Sequence, residues 1–175
     1  MSRLLIAICV PTIIAGCTLP PDQRPATWAQ PVKMAGVKRL YRVDDGLYRC
    51  ANPENSVWPT IREQLGIRTV VCLERFSGDR NLPEGIEVVR LGIGPLLPDF
   101  RKLIDFVAKA IDTQKQPVLV YCLLGSDRSS WACATYRVVV QGWTPEEAIR
   151  EMDYGGYGSN ILGGRFRRYL STPPH

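Results

Sequence analysis

A short apolar run, Val118-Leu119-Val120-Tyr121, passes within a few residues into a helical pattern, so residues 117–130 (PVLVYCLLGSDRSS) read as a strand, a tight turn and the start of a helix. The run is too short for a helix and has the length of a buried strand. A strand that feeds a helix so abruptly needs that helix packed beside a sheet. The turn also carries chemistry, because Cys122 and Arg128 bracket Leu123, Leu124, Gly125, Ser126 and Asp127. Successive backbone N–H groups of such a turn point inward, and the helix dipole adds about half a positive charge at the same spot. Arg128 supplies a planar fork for two oxygens of a phosphate. A thiol at the floor of this nest loses its proton readily, since helix N-termini and cations lower cysteine pKa values. A thiolate facing a bound phosphate is a nucleophile in line with phosphorus.

Strand and helix patterns alternate through the rest of the chain. Residues 39–43 and 46–49 are strand-like around an Asp44-Asp45-Gly46 turn. Trp58, Ile61 and Leu65 have helical spacing up to Gly66, which can end the helix. Residues 69–73 and 86–91 are strand-like, and Leu103, Phe106, Val107, Ala110 and Ile111 form a helical stripe before the strand that ends at Cys122. Residues 131–140 predict a largely buried helix ending near Gly142. Thr144-Pro145-Glu146-Glu147 then combines a cap, a proline at the first helical position and a glutamate three residues after the cap, which starts another helix. The expected fold is α/β, a central mostly parallel or mixed sheet flanked by helices.

The N-terminal 17 residues read as a targeting segment. Arg3 gives a positive start, residues 4–14 an apolar run too short to span a membrane, and Ile14-Ala15-Gly16-Cys17 resembles a bacterial lipoprotein signal. That resemblance implies a lipid on Cys17 and, with Thr18 rather than Asp following, an outer-membrane anchor facing the periplasm. Residues 18–36 carry Pro20, Pro21, Pro25 and Pro31 without an apolar period, the pattern of a semi-extended tether. Residues 37–175 are then one domain, long enough for a real core.

The turn resembles the signature loop of cysteine-dependent protein tyrosine and dual-specificity phosphatases, Cys-x5-Arg followed by Ser or Thr, with the loop glycine at Gly125. The likeness extends outward. Leu47-Tyr48-Arg49-Cys50-Ala51-Asn52-Pro53 looks like the "YRSAQP" segment of bacterial dual-specificity-like phosphatases, and residues 66–75 (GIRTVVCLER) look like their "GIKTVINLR" strand. Tyr136-Arg137, Glu146-Glu147-Ala148 and Glu151-Met152 fit their "YR…EEA…EM" helices. The chain departs from the family pattern on both sides of the loop. Tyr121 stands where the family has histidine, and Ser129-Ser130 where it has Thr-Gly. Asp127, just before the arginine, is shared with phosphoinositide phosphatases of the myotubularin and Sac types.

The resemblance implies hydrolysis of a phosphomonoester through a phosphocysteine on Cys122. Arg128 and the amides of residues 123–128 hold the phosphoryl oxygens, and Ser129 hydrogen-bonds the departing thiolate. It also implies an acid on an upstream loop to protonate the leaving oxygen. Asp99, on the proline-flanked segment 94–99, is the first candidate, and capping of the following helix is its bland alternative. Asp127 is the second and Asp79 the third. Two alternatives from other classes are a phosphate-binding pseudophosphatase, suggested by Tyr121, and a rhodanese-like sulfurtransferase, which also sets a cysteine in a strand-to-helix loop.

Cys50, Cys72, Cys122 and Cys133 remain once the targeting segment is set aside. A reversible Cys72–Cys122 disulfide protecting the nucleophile, a permanent Cys50–Cys72 bridge, and unbridged buried thiols are the alternatives; Cys133 reads as core. The formal charge of +5 suits an anionic partner or an acidic surface. Arg165, Arg167 and Arg168 are the densest basic cluster and read as a solvated helix face, with a substrate rim as the alternative. The single histidine, His175, is terminal, so neither a histidine base nor a histidine metal site is expected, and no cofactor. Nucleic-acid motifs are absent. The expected partners are a phosphorylated protein or inositol phosphate and, through the lipid, a membrane.

Overall fold

The computed structural model describes residues 18–75, 82, 84–94, 99–112, 114–158 and 164–172. Cys17 and the targeting segment, Asp79, and residues 95–98 of the loop before Asp99 lie outside the described residues. The strands are β1 (Gln30–Pro31), β2 (Tyr41–Arg42), β3 (Leu47–Ala51), β4 (Thr69–Cys72), β5 (Glu87–Arg90) and β6 (Val118–Cys122). The helices are α1 (Trp58–Leu65), α2 (Phe100–Ala110), α3 (Asp127–Val139), α4 (Pro145–Tyr154) and α5 (Gly164–Ser171).

The strands form one mixed sheet in the order β1-β2-β3-β6-β4-β5. β3, β6, β4 and β5 run parallel, and β1 and β2 add antiparallel at one edge. β6 is central, and all five of its residues are buried, as a strand covered on both faces requires. Alternation along it divides the core. Val118, Val120 and Cys122 join Leu103, Phe106, Trp131 and Phe166 on the face that carries α2, α3 and α5. Leu119 and Tyr121 join Trp58 and Ile61 of α1 on the other. Tyr121, the residue in the place of the family histidine, therefore points away from the Cys122 face and packs edge-on against Trp58, ring centroids 5.8 Å apart.

Local signals set the element ends. Gly66 adopts φ +65° and stops α1, its N–H donating to Arg62 O. Thr144 and Glu147 form the reciprocal capping box that opens α4. Asp99 caps α2, its carboxylate accepting from Lys102 N at 3.3 Å. The Asp44-Asp45-Gly46 turn closes with Gly46 N donating to Asp44 Oδ1 at 2.9 Å. In α5, Arg165 and Arg168 face solvent, while Arg167 pairs with Asp153.

The expected tether at residues 18–36 needs correction, since this segment packs on the domain. Trp28 is 5% exposed and Ala29 2%. Leu19 N donates to Tyr154 O at 3.1 Å, Ala29 N to Glu151 Oε1 at 2.6 Å, and β1 pairs with β2. Its prolines hid this: they break any apolar period, and the burial rests on only two neighbouring side chains and one edge pairing. The folded unit thus extends N-terminally beyond Val37.

Candidate active site

β6 delivers Cys122 at the C-terminal edge of the parallel strands, where open α/β sheets bind ligands. The chain then turns through Leu123, Leu124, Gly125 and Ser126 into α3. Gly125 makes the turn possible. It adopts φ +65°, and a Cβ there would lie 2.5 Å from Ala51 N and 2.8 Å from Ala51 Cα. Gly125 N closes the turn on Cys122 O at 3.2 Å.

Among the described residues, the backbone N–H groups of Leu123, Leu124, Ser126, Asp127, Arg128 and Ser129 find no acceptor in the protein. Buried or half-buried N–H groups are almost always paired, so a run of orphan donors at a helix N-terminus calls for an anion. Ser129 Oγ lies 3.0 Å from Cys122 Sγ, within reach of a hydrogen bond to the sulfur, with Cys50 O at 3.5 Å. Arg128 is half-buried, and its Nη1 touches only Ile93 O at 3.4 Å, on the segment that follows β5. Leu123 and Leu124, 56% and 58% exposed, form an apolar rim.

The structure brings Cys122, residues 123–128 and Ser129 together, and treats the two carboxylates differently. Asp127 sits inside the loop as the first residue of α3. Its Oδ2 accepts from Ser126 Oγ at 3.2 Å, and its Oδ1 is buried without a partner. Asp99 is half-exposed, capping α2 and facing Lys102 Nζ at 3.7 Å, so the capping role expected as its alternative is occupied. It stands on the β5–α2 connection, at the same sheet edge as Cys122.

All four cysteines of the domain are thiols. β4 and β6 are parallel neighbours, yet Cys72 pairs with Tyr121 rather than Cys122. One residue of offset reverses the face, so Cys72 lies among Cys50, Tyr121 and Leu119, and Cys122 among Val118, Val120 and Trp131. The geometry does not bring the Cys72 and Cys122 sulfurs together. Cys50 and Cys72 share a face but flank Tyr121 on either side, each in register with it. Burial, and then the neighbouring Cys122, push the Cys50 thiol far up; burial pushes Cys133 up to about 11. Both are held as neutral thiols at neutral pH.

Sequence reasoning gave no role to Arg49 or Arg39. Arg49 is fully buried in β3, and its Nη2 donates to Gly125 O at 2.6 Å and to Ser130 Oγ at 3.1 Å. Arg39 Nη1 donates to Leu124 O at 2.5 Å from the outer side of the loop. The available signal for Arg49 was a charge at the middle of the short strand Leu47-Tyr48-Arg49-Cys50-Ala51, where four of five residues are buried. Among the described residues no cluster of histidine, cysteine and carboxylate side chains is arranged to hold a metal.

No family model matches the chain. Among characterised proteins it is similar to the dual specificity protein phosphatase TpbA of Pseudomonas aeruginosa, 30% identical over 162 residues that span 89% of this chain and 73% of that protein. It is also similar to the human phosphatidylglycerophosphatase and protein-tyrosine phosphatase 1, 29% identical over 124 residues, covering 63% of this chain and 61% of that protein. The crystal structure of TpbA superposes with a TM-score of 0.71 at 28% identity, over 83% of this chain and 89% of that one. A TpbA variant in complex with phosphotyrosine superposes with a TM-score of 0.72. A cysteine and an arginine bracketing a loop of orphan amides, on a fold shared with TpbA along most of both chains, place this protein in the dual-specificity protein phosphatase family, as a cysteine-dependent hydrolase of phosphomonoesters.

Proposed function

We propose that Cys122 is the nucleophile, that Arg128 and the orphan amides of residues 123–128 bind the phosphoryl group, and that Ser129 serves the thiolate. The observation that carries the reading is the run of N–H groups without acceptors around Cys122. A phosphoryl group seated on them presents phosphorus to Sγ. Attack forms the S–P bond as the ester P–O bond breaks, and the equatorial oxygens gain charge where fixed donors already point. Water then attacks phosphorus and the S–P bond breaks. Ser129 Oγ, 3.0 Å from Sγ, donates to the thiolate as it leaves. Asp99 is the proposed proton donor to the leaving oxygen, with Asp127 as the competing candidate. The Asp99 side chain is half-exposed and reaches α2 through one long cap bond and a 3.7 Å lysine contact, so its carboxylate is lightly held.

The proposed substrates are phosphorylated proteins, phosphotyrosine among them, or inositol phosphates. The TpbA complex with phosphotyrosine supports the first class, and the structure of PTPMT1 with PI(5)P, alike in fold at 22% identity, motivates testing the second. The apolar rim of Leu123 and Leu124 suits a phosphorylated ring or a lipid-borne headgroup better than a free ion. Family membership sets the sulfurtransferase alternative aside. The proposed location is the bacterial envelope, lipid-anchored through Cys17 and facing the periplasm from the outer membrane, on the strength of residues 3–17. No helix among the described residues is long and apolar enough to cross a membrane.

Hydrolysis of an aryl phosphate by the purified protein, reduced and with chelator present, beside Cys122→Ser tests the chemistry. Turnover by the wild type alone, with a phosphocysteine trapped on Cys122 by acid quench, is the expected result. Phosphate or vanadate binding without turnover in either protein would establish the pseudophosphatase instead.

A further inference from the structure

The loop that orients its amides inward must turn carbonyls outward, and those carbonyls need donors in the protein body. The Gly125 carbonyl finds one in Arg49 Nη2 at 2.6 Å, and Ser130 Oγ, one turn into α3, takes the same nitrogen at 3.1 Å. Arg49 lies in β3, whose register with β6 sets it beside Val120, two residues before Cys122. The guanidinium is fully buried and stacks 3.9 Å from the centroid of the Tyr157 ring.

What singles out Arg49 is its lack of a counter-charge. Its Nε and Nη1 are buried without partners, and no described carboxylate pairs with it. The nearest buried carboxylate in this network, Glu151, is already committed. Its Oε1 accepts from Ala29 N, Arg137 Nη2 and Tyr157 OH, and its Oε2 from Arg137 Nε. Glu151 is thus spent on Arg137, and Arg49 stands beneath the loop with no carboxylate hydrogen-bonded to it. A buried charge of this kind is costly to fold unless an anion meets it. The anion available on this side of the sheet is the Cys122 thiolate and the phosphoryl group it attacks.

We propose that Arg49 is a positioning residue of the phosphatase reaction: it pins the Gly125 carbonyl so that the loop amides face the phosphate, and it is the buried cation that favours the Cys122 thiolate in place of a histidine at position 121. The proposal rests on the assignment of Cys122 as nucleophile. The Coulomb influence of Arg49 is visible on the two neighbouring buried thiols, Cys50 and Cys133, where it opposes the upward push of burial. The titratable and charged groups of the elements packed around Cys122 are Arg49 and Cys50 of β3, Asp127 and Arg128 of the loop and Cys133 of α3, with Glu151 and Tyr157 behind Arg49.

The test separates charge from clamping. Arg49→Met removes both, and Arg49→Lys keeps the charge and loses the fork that meets Gly125 O and Ser130 Oγ together. The rate of alkylation of Cys122, mapped by mass spectrometry against pH, reads thiolate formation, and aryl phosphate turnover reads the loop. In Arg49→Met the alkylation profile is expected to move to higher pH, with at least a tenfold lower rate at pH 6, and turnover to fall about a hundredfold. In Arg49→Lys the profile stays near wild type while turnover falls about tenfold at unchanged thermal midpoint. A folded Arg49→Met whose Cys122 profile superposes on wild type overturns the proposal. If Arg49→Met does not fold, Arg49→Lys decides, and wild-type turnover in it overturns the clamp. Absence of turnover in the wild type would fail the nucleophile assignment itself, a result distinct from either.

Discussion

At Gly125, conformation and space exclude any side chain at once. The φ of +65° costs an L residue on the order of 1–3 kcal/mol, and the added Cβ meets the backbone of β3 rather than a side chain that can yield. Gly125→Ala therefore moves the loop by a fraction of an ångström or more. Turnover should fall by about a hundredfold, the usual effect of displacing a positioned group by about 1 Å, with stability lower by roughly 1–3 kcal/mol. Wild-type kcat in a folded Gly125→Ala protein would contradict the close approach to Ala51. The carboxylates are separable by the leaving group. If Asp99 delivers the proton, Asp99→Asn should lower kcat about a hundredfold or more on a phosphotyrosine peptide, much less on an activated aryl ester, and remove the alkaline fall of the pH profile, since an acid must stay protonated to act. Asp127→Asn should instead weaken phosphate binding, because Asp127 is part of the loop. The reverse pattern would transfer the acid role to Asp127. The turn that sets Cys122, Gly125 and Arg128 in one loop was legible because their spacing is a local constraint. Arg49 was visible as a letter but not as a role, because its partners Gly125 and Ser130 lie far along the chain and only the parallel register brings them near.

The elements repeat that division between local and long-range information. The capping box at Thr144 and the stop at Gly66 could be read from a few consecutive residues, and both stand where expected. The order of the strands could not, and with it went the facing of Cys72 and Cys122: a one-residue offset in register, set by pairing across the sheet, decides which face a sulfur takes. The α3–α4 contact is a second case. Arg137 and Glu151 were noted only as matching a family pattern, yet they form a buried bidentate pair, 3% and 4% exposed, to which Tyr157 OH and Ala29 N also donate. Removing one member of such a pair leaves the other charged and unmet, so Glu151→Gln should cost about 3–5 kcal/mol. Thr144→Ala, which deletes an exposed cap at the other end of α4, should cost about 1 kcal/mol. Urea denaturation of the two variants checks the ranking, and equal midpoints would mean that the buried pair contributes no more than a surface cap.

On the scale of the whole molecule, the N-terminal segment decides where the domain begins and how closely the proposed anchor would tie it. Composition alone described residues 18–36 as a tether, but Trp28 and Ala29 are core residues, and Ala29 N helps satisfy the one carboxylate shared by Arg137 and Tyr157. A chain starting at Val37 loses a buried tryptophan, worth roughly 3–5 kcal/mol, and leaves Glu151 short of a donor, worth roughly 1–3 kcal/mol more. With typical domain stability at about 5–15 kcal/mol, such a chain should be marginal or unfolded, whereas one starting at Thr18 should keep the full thermal midpoint. Equal midpoints for the two would show the segment to be dispensable. The same contacts bear on the proposed anchor. Leu19 is bonded to Tyr154, at the end of α4 that leads into Gly156 and Tyr157, and Tyr157 packs on Arg49 beneath the signature loop. Only Thr18 separates Leu19 from Cys17, so the two residue steps reach about 7 Å. If Cys17 is acylated as proposed, so short a connection would hold the end of α4 close to the bilayer rather than let the domain swing on a leash. Inserting about twenty Gly/Ser residues between Thr18 and Leu19 would restore the leash without touching the fold. On membranes, that insertion should lower turnover of a phosphorylated lipid or membrane-bound protein while leaving a soluble aryl phosphate unaffected. Unchanged turnover of both would mean that the short connection places no constraint on substrate.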